Sequence, residues 1–320
     1  MAQTHHHDHA HDRDDHAGHS HGPGGHVHAP TSFGKAFAIG ITLNTIFVVV
    51  EAVYGYASGS MALVADAGHN LSDVLGLIAA WTAAVLAKRA ATPRYTYGLK
   101  GSSILAALFN AVFLLVAVGA IAWEAVLRLF NPEPVTEITV IVVATIGIVI
   151  NGITALMFAS GRNSDLNIRG AYLHMVADAA VSVGVVIAAV IIMFTGWLWI
   201  DAVTSLVICV LIVWGTWSLL RDSTAMSLAA VPRGIDPVAV RAYLEKCPGV
   251  AQMHDLHIWP MSTTEVALTC HLVIPSGAPG DAYLMDIAER LKRDFSIEHA
   301  TIQIETDPNS ACALAPEHVI

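Results

Sequence analysis

The chain has 320 residues and a formal net charge of −10, and only 13% of its side chains are charged, against roughly 25% in soluble domains. The shortage is local: positions 33–220 carry 8 basic and 9 acidic residues, while 221–320 carry 7 and 13. That excludes a wholly soluble enzyme, a disordered chain and a fibrous repeat, and the lack of a basic stripe excludes a nucleic-acid partner.

Residues 1–32 hold ten of the 17 histidines and almost nothing apolar. Such a stretch buries too little surface to fold, so it is expected to be a disordered arm. It does not resemble a secretory signal, which would place a basic stub before an apolar run. Six apolar stretches follow, at Phe37–Ala57, Met61–Leu86, Ile104–Val126, Val135–Phe158, Ala171–Phe194 and Trp199–Leu220. Each reaches about 20 residues or more, enough to cross roughly 30 Å of hydrocarbon as a helix. The expected unit is a six-helix transmembrane domain over 33–222, with both termini on one side. Lys88, Arg89, Arg94, Lys100, Arg162 and Arg169 lie in the loops of that side, and Arg128 stands alone opposite. By the positive-inside rule both termini are cytoplasmic.

After Met226 the pattern changes to that of a soluble domain, expected over 223–307 with a tail at 308–320. Asp236–Lys246 and Asp281–Phe295 read as helices, and Val250–Trp259, Thr264–Ile274 and Ala300–Glu305 as strands. The order αββαβ suits a small α+β sandwich. The four cysteines, Cys209, Cys247, Cys270 and Cys312, form no CxxC pair, which fits free thiols in a reducing compartment.

Ionisable groups inside a bilayer are costly, and two spans carry the same pair. His69 and Asp73 are four residues apart in the second span, and so are His174 and Asp178 in the fifth. On a helix that spacing puts both side chains on one face. Two facing helices then supply two nitrogens and two oxygens, the number a tetrahedral Zn²⁺ takes. The alternative, a histidine–aspartate proton relay, does not explain why the motif occurs twice. Asp66 shares the face of His69 and reads equally as a gate or relay group and as a packing residue. No H-E-x-x-H occurs, since Asn70 and Met175 follow the two histidines, which argues against an intramembrane zinc protease.

"MALVADAGHNLSDVLG", "RYTYGLKGSSILAALFNA", "GAYLHMVADAAVSVGVV" and "WIDAVTSL" resemble the cation diffusion facilitator family, as do "HDLHIW" and "HATIQIE" further on. The resemblance spans about residues 33–307. It implies a homodimeric metal/proton antiporter with six spans and a ferredoxin-like cytoplasmic domain, in the bacterial inner membrane. It assigns His69, Asp73, His174 and Asp178 to the transport site and export of a divalent metal, Zn²⁺ first among the candidates, to the protein. It also implies Zn²⁺ bound in the cytoplasmic domain by His254, His271 and Glu305 near the dimer contact. His257, three after His254, points to the other face of a regular strand unless a bulge intervenes; His299 is a weaker candidate, and Trp259 reads as packing. Tyr95–Gly98 lacks the Asp/His set of a further loop site found in some relatives. Export of Co²⁺, Cd²⁺ or Ni²⁺ by the same ligands, and a membrane-anchored metal receptor without transport, remain the alternative readings. The histidine arm reads equally as a weak metal trap beside the pore and as a dispensable solvated tail.

Overall fold

The computed structural model describes residues 35–87, 89–159, 166–277, 279–307 and 312. The histidine-rich arm and, Cys312 excepted, the tail from 308 lie outside the described residues, as do Lys88 and Arg162. Six long helices come first: α1 Lys35–Ser58, α2 Met61–Ala87, α3 Ser102–Phe130, α4 Glu137–Ala159, α5 Leu166–Thr195 and α6 Trp199–Ser227. At 1.5 Å per residue they are about 35–45 Å long. Four of them, α3 to α6, are long and apolar enough to cross a membrane by length and composition. The second helix matches them in length but interrupts its apolar run with Asp66, His69, Asn70, Ser72 and Asp73. Helices α3 and α6 outlast the apolar stretches that predicted them, because Arg128 near the end of one and Asp222 and Ser223 in the other continue the helix beyond the apolar window.

The outside of this bundle is apolar: Phe109, Phe194 and Trp214 are 71%, 80% and 73% exposed. So large an exposed apolar surface needs a nonaqueous solvent. The inside is lined by small residues, Ala62, Ala65, Ala111, Ala125 and Ala144, which let helices approach closely without a hydrophobic driving force between them. Gly147 of α4 lies where the ring of Phe47 crosses it; a Cβ there would stand 2.6 Å from Phe47 Cζ.

The turn between α1 and α2 is pinned by other helices. Gly59 takes φ 72°, a left-handed value suited to glycine. Arg128 of α3 donates to the Gly59 carbonyl and pairs with Glu124 and Glu133. Asp201, in the first turn of α6, accepts from Ser60 Oγ at 2.5 Å and from the Met61 amide at 2.7 Å. One aspartate on α6 thus serves as the N-terminal cap of α2.

The soluble part follows as α7 Pro237–Glu245, β1 Gln252–Pro260, β2 Val266–Val273, α8 Asp281–Phe295 and β3 His299–Glu305. Asp236 Oδ1 caps α7 by accepting from the Val238 amide at 2.9 Å, with Pro237 opening the helix. The sheet order is β1-β2-β3, with β1 and β2 antiparallel and β2 and β3 parallel. Leu268 and Leu272 of the central strand pack with Leu244, Ile258, Ile287, Leu291 and Ile297 into one core. The tip of the β1–β2 hairpin meets the start of α3. There Lys100 pairs with Glu265, the Thr263 amide donates to Ser103 Oγ at 3.0 Å, and the rings of Tyr97 and His299 meet edge-on at 5.8 Å.

Candidate metal sites

Helices α2 and α5 bring the two H-x-x-x-D pairs face to face. His69 Nε2 lies 3.3 Å from Asp178 Oδ1 and 3.9 Å from Asp73 Oδ2. His174 Nε2 lies 3.2 Å from Asp73 Oδ2 and 3.5 Å from Asp178 Oδ2. A tetrahedral ion with bonds of 2.0–2.1 Å sets its ligand atoms about 3.3 Å apart, and three of these four separations fall within a few tenths of an ångström of that. Asp73 Oδ2 and both Asp178 oxygens are buried yet accept no hydrogen bond among the described residues. Each histidine thus faces the aspartate of the other helix at ion-pair distance. His69, Asp73 and Asp178 are the tightest set, with ligand atoms within 4.8 Å of one another. His174 lies outside that set, its imidazole centroid 6.0 Å from that of His69, with its Nε2 within 3.5 Å of both carboxylates. Asp178 is buried and the other three are half-buried.

Asp66 does not join this group. It accepts from Ser182 Oγ at 3.0 Å, one helical turn from the quartet on both α2 and α5. Beside it is a buried acid that the sequence reading missed, Glu51 of α1, which accepts from Asn70 Nδ2 at 3.0 Å. The signal for it was present: a carboxyl in the middle of an apolar stretch is itself a functional marker.

A second cluster forms at the end of the three-stranded sheet away from the hairpin tip. His254 and His271 are register partners on β1 and β2, and Glu305 ends β3. Glu305 Oε1 lies 2.9 Å from His271 Nδ1 and 3.4 Å from His254 Nε2. The ligand atoms of His254, His271, Glu305 and Cys312 fall within 4.8 Å of one another, with Cys312 Sγ 3.7 Å from His271 Nδ1. His254 Nε2 is buried without a hydrogen-bond partner among the described residues. Two imidazoles, a carboxylate and a thiol suit Zn²⁺. Burial pushes the Glu305 carboxyl up, but the Cys312 thiol and the two imidazoles outweigh it and hold the group below the usual carboxylate range. It therefore stays an anionic ligand at neutral pH.

Cys312 was missed because the tail carries no pattern that predicts where it folds. The bulge allowed for between His254 and His257 is present, with Asp255 at φ 52°. It does not bring His257 into the cluster; His257 Nε2 bonds Asp255 Oδ1 at 2.8 Å, and Asp255 Oδ2 reaches back to within 3.5 Å of His271. His299 is remote from the cluster, at the contact with Tyr97.

Residues 37–226 match the family described as the cation efflux transmembrane domain, and 232–307 the one described as the cation efflux protein cytoplasmic domain. The chain is 38% identical over 294 residues to the metal cation efflux system protein CzcD of Cupriavidus metallidurans, covering 91% of each. It is 34% identical over 291 residues to a cadmium, cobalt and zinc/H⁺-K⁺ antiporter of Bacillus subtilis, covering 89% of this chain and 93% of that one. It is 36% identical over 274 residues to the zinc transporter ZitB of Escherichia coli, covering 85% and 87%. Among solved structures, the metal-bound C-terminal domain of the CzcD transporter matches at 33% identity, over 22% of this chain and 99% of that one, with a TM-score of 0.21.

Proposed function

Since the chain belongs to the cation diffusion facilitator family of divalent metal efflux transporters, we propose that it exports Zn²⁺ from the cytoplasm in exchange for H⁺. The reading has all six long helices crossing a bacterial inner membrane, both termini cytoplasmic, and a homodimer joined through a ferredoxin-like domain. The observation that carries it is the convergence of His69, Asp73, His174 and Asp178 from α2 and α5. Two nitrogens and two oxygens favour a borderline divalent cation over Cu⁺, which wants sulfur, or Mg²⁺, which wants oxygen and water. The names of relatives, a zinc transporter and a cadmium, cobalt and zinc antiporter, point the same way.

Exchange follows from the ligand chemistry. Imidazole and carboxylate bind metal only when deprotonated, so acid on one side displaces what neutral pH on the other side loads. Moving a divalent cation outward against 100 mV, inside negative, costs about 4.6 kcal/mol. No GxxxxGK[ST] loop is present to couple nucleotide hydrolysis, and inward proton movement meets that cost. On this reading the bundle opens alternately to either face around the four ligands.

Vesicles reconstituted with the full chain test the reading. An outwardly directed proton gradient should drive Zn²⁺ uptake into vesicles, and Asp73→Asn or Asp178→Asn should abolish it. Uptake that ignores the gradient refutes the exchange, and uptake that survives both substitutions refutes the site. Cd²⁺ and Co²⁺ are the second reading of the cargo, favoured by the same ligand set. Competition for Zn²⁺ uptake ranks them.

A further inference from the structure

The quartet does not account for every buried acid in the bundle. Glu51 and Asp66 are both 0% exposed, and their carboxyl groups lie within hydrogen-bonding reach of each other. Glu51 Oε2 takes its donor from Asn70, and Asp66 Oδ2 takes its donor from Ser182. The other oxygen of each acid, and the side-chain oxygen of the fully enclosed Asn70, have no donor among the described residues. Among the described residues no lysine or arginine faces the pair. The titratable side chains that act on it are His69 on α2 and Asp178 on α5. Helix α4, packed on α1, has no titratable side chain over residues 138–159. On α3, Arg128 and Glu124 pair with one another near the Gly59 turn, and on α6 Asp201 is engaged by the start of α2.

Position gives the pair its meaning. The cytoplasmic domain touches the bundle at Lys100, just before α3, and so at the C-terminal end of α2. The start of α2, held by Asp201, is the opposite end. Asp66 is about one turn nearer that opposite end than His69, and Ser182 about one turn nearer it than Asp178, since α5 leads into α6 there. The pair therefore sits one turn beyond the quartet, on the side away from the cytoplasmic domain.

Two adjacent carboxylates in so dry a place repel too strongly for both to stay charged, and a shared proton joins them, as in other carboxyl dyads. We propose that Glu51 and Asp66 form a proton-carrying site, separate from the metal quartet, that couples proton entry to metal exit. The O–H bond forms at the pair from outside water when the bundle opens outward and breaks to inside water when it opens inward. Deprotonation leaves the pair with two negative charges, which the divalent cation arriving one turn away compensates. Loading metal and releasing the proton thereby favour each other. This rests on the metal/proton exchange reading above.

The test uses the full chain in vesicles, with Glu51→Gln, Asp66→Asn and the swap Glu51→Asp/Asp66→Glu. Three quantities are measured: Zn²⁺ binding in detergent, gradient-free exchange of labelled for unlabelled Zn²⁺, and stimulation of uptake by a pH gradient. The neutral variants should bind Zn²⁺ and exchange it yet lose the pH stimulation, while the swap keeps all three. Wild-type stimulation in both neutral variants overturns the proposal. So does a swap that binds Zn²⁺ but ignores the pH gradient, which also decides the matter if the neutral variants fail to fold. Loss in the neutral variants of stimulation by a K⁺ gradient, with the pH effect intact, makes the pair a potassium site and overturns the proton assignment. A wild type that ignores pH altogether sinks the exchange reading first, a result distinct from failure in the variants alone.

Discussion

His271 of the three-stranded sheet is approached by three different side chains, the Glu305 carboxylate, the Asp255 carboxylate and the Cys312 thiol. Only the first was expected, because strands bring fixed register partners together whereas a bulge and a tail bring partners that no period announces. The thiol is the informative one. Burial pushes Cys270 up to about 12 and raises Cys247 as well, so both stay protonated and are poor ligands. Among the described residues only Cys312 has its sulfur within 4.8 Å of the candidate ligand atoms. Co²⁺ added to the full chain should give a thiolate-to-metal absorption band in the near ultraviolet. Cys312→Ser should remove that band, and Cys270→Ser and Cys247→Ser should keep it. A band that survives Cys312→Ser places the sulfur ligand elsewhere.

Helix α2 carries half of the candidate quartet, yet its own N-terminal segment does not complete its cap. Asp201 of α6 supplies acceptors for Ser60 Oγ and for the amide of Met61, and Ser60 Oγ in turn accepts from the Leu63 amide at 3.2 Å. The start of α2 is therefore set by a residue 140 positions away, and the axial position of His69 and Asp73 is set with it. Removing a cap costs about 0.5–2 kcal/mol, and a buried donor left unpaired adds about 1–3 kcal/mol. Asp201→Ala should thus lower the thermal midpoint of the protein in detergent and weaken Zn²⁺ binding, although Asp201 touches no candidate ligand. Asp201→Asn, which keeps an acceptor for Ser60 or Met61, should recover part of both. Unchanged binding in Asp201→Ala would separate the cap from the site.

The three-stranded sheet joins the second candidate site to the helical bundle. Its three strands carry His254, His271 and Glu305 at one end and the hairpin tip and His299 at the other, where they meet Tyr97, Lys100 and Ser103. The strand register thus ties the candidate ligands to the contact with the start of α3. The ion pair at this contact tests the link. Lys100→Glu should slow Zn²⁺ uptake into vesicles while leaving Zn²⁺ binding to the quartet unchanged, and adding Glu265→Lys should restore the rate. A lone Lys100→Glu protein that transports at the wild-type rate would show that the contact carries nothing.

Periodicity and spacing by themselves determined the six long helices, the αββαβ order of the soluble part, and the pairing of His69 with Asp73 and of His174 with Asp178. These are local consequences of the 3.6-residue and 2-residue repeats, and of the cost of charge in an apolar run. Only the tertiary structure decided that Glu51 meets Asp66, that Asp201 caps a helix it does not belong to, and that Cys312 reaches His271 while His257 and His299 turn elsewhere. Those contacts join residues far apart in the chain, and they depend on which helix faces cross and where a strand bulges. Neither hydropathy nor motif spacing records that.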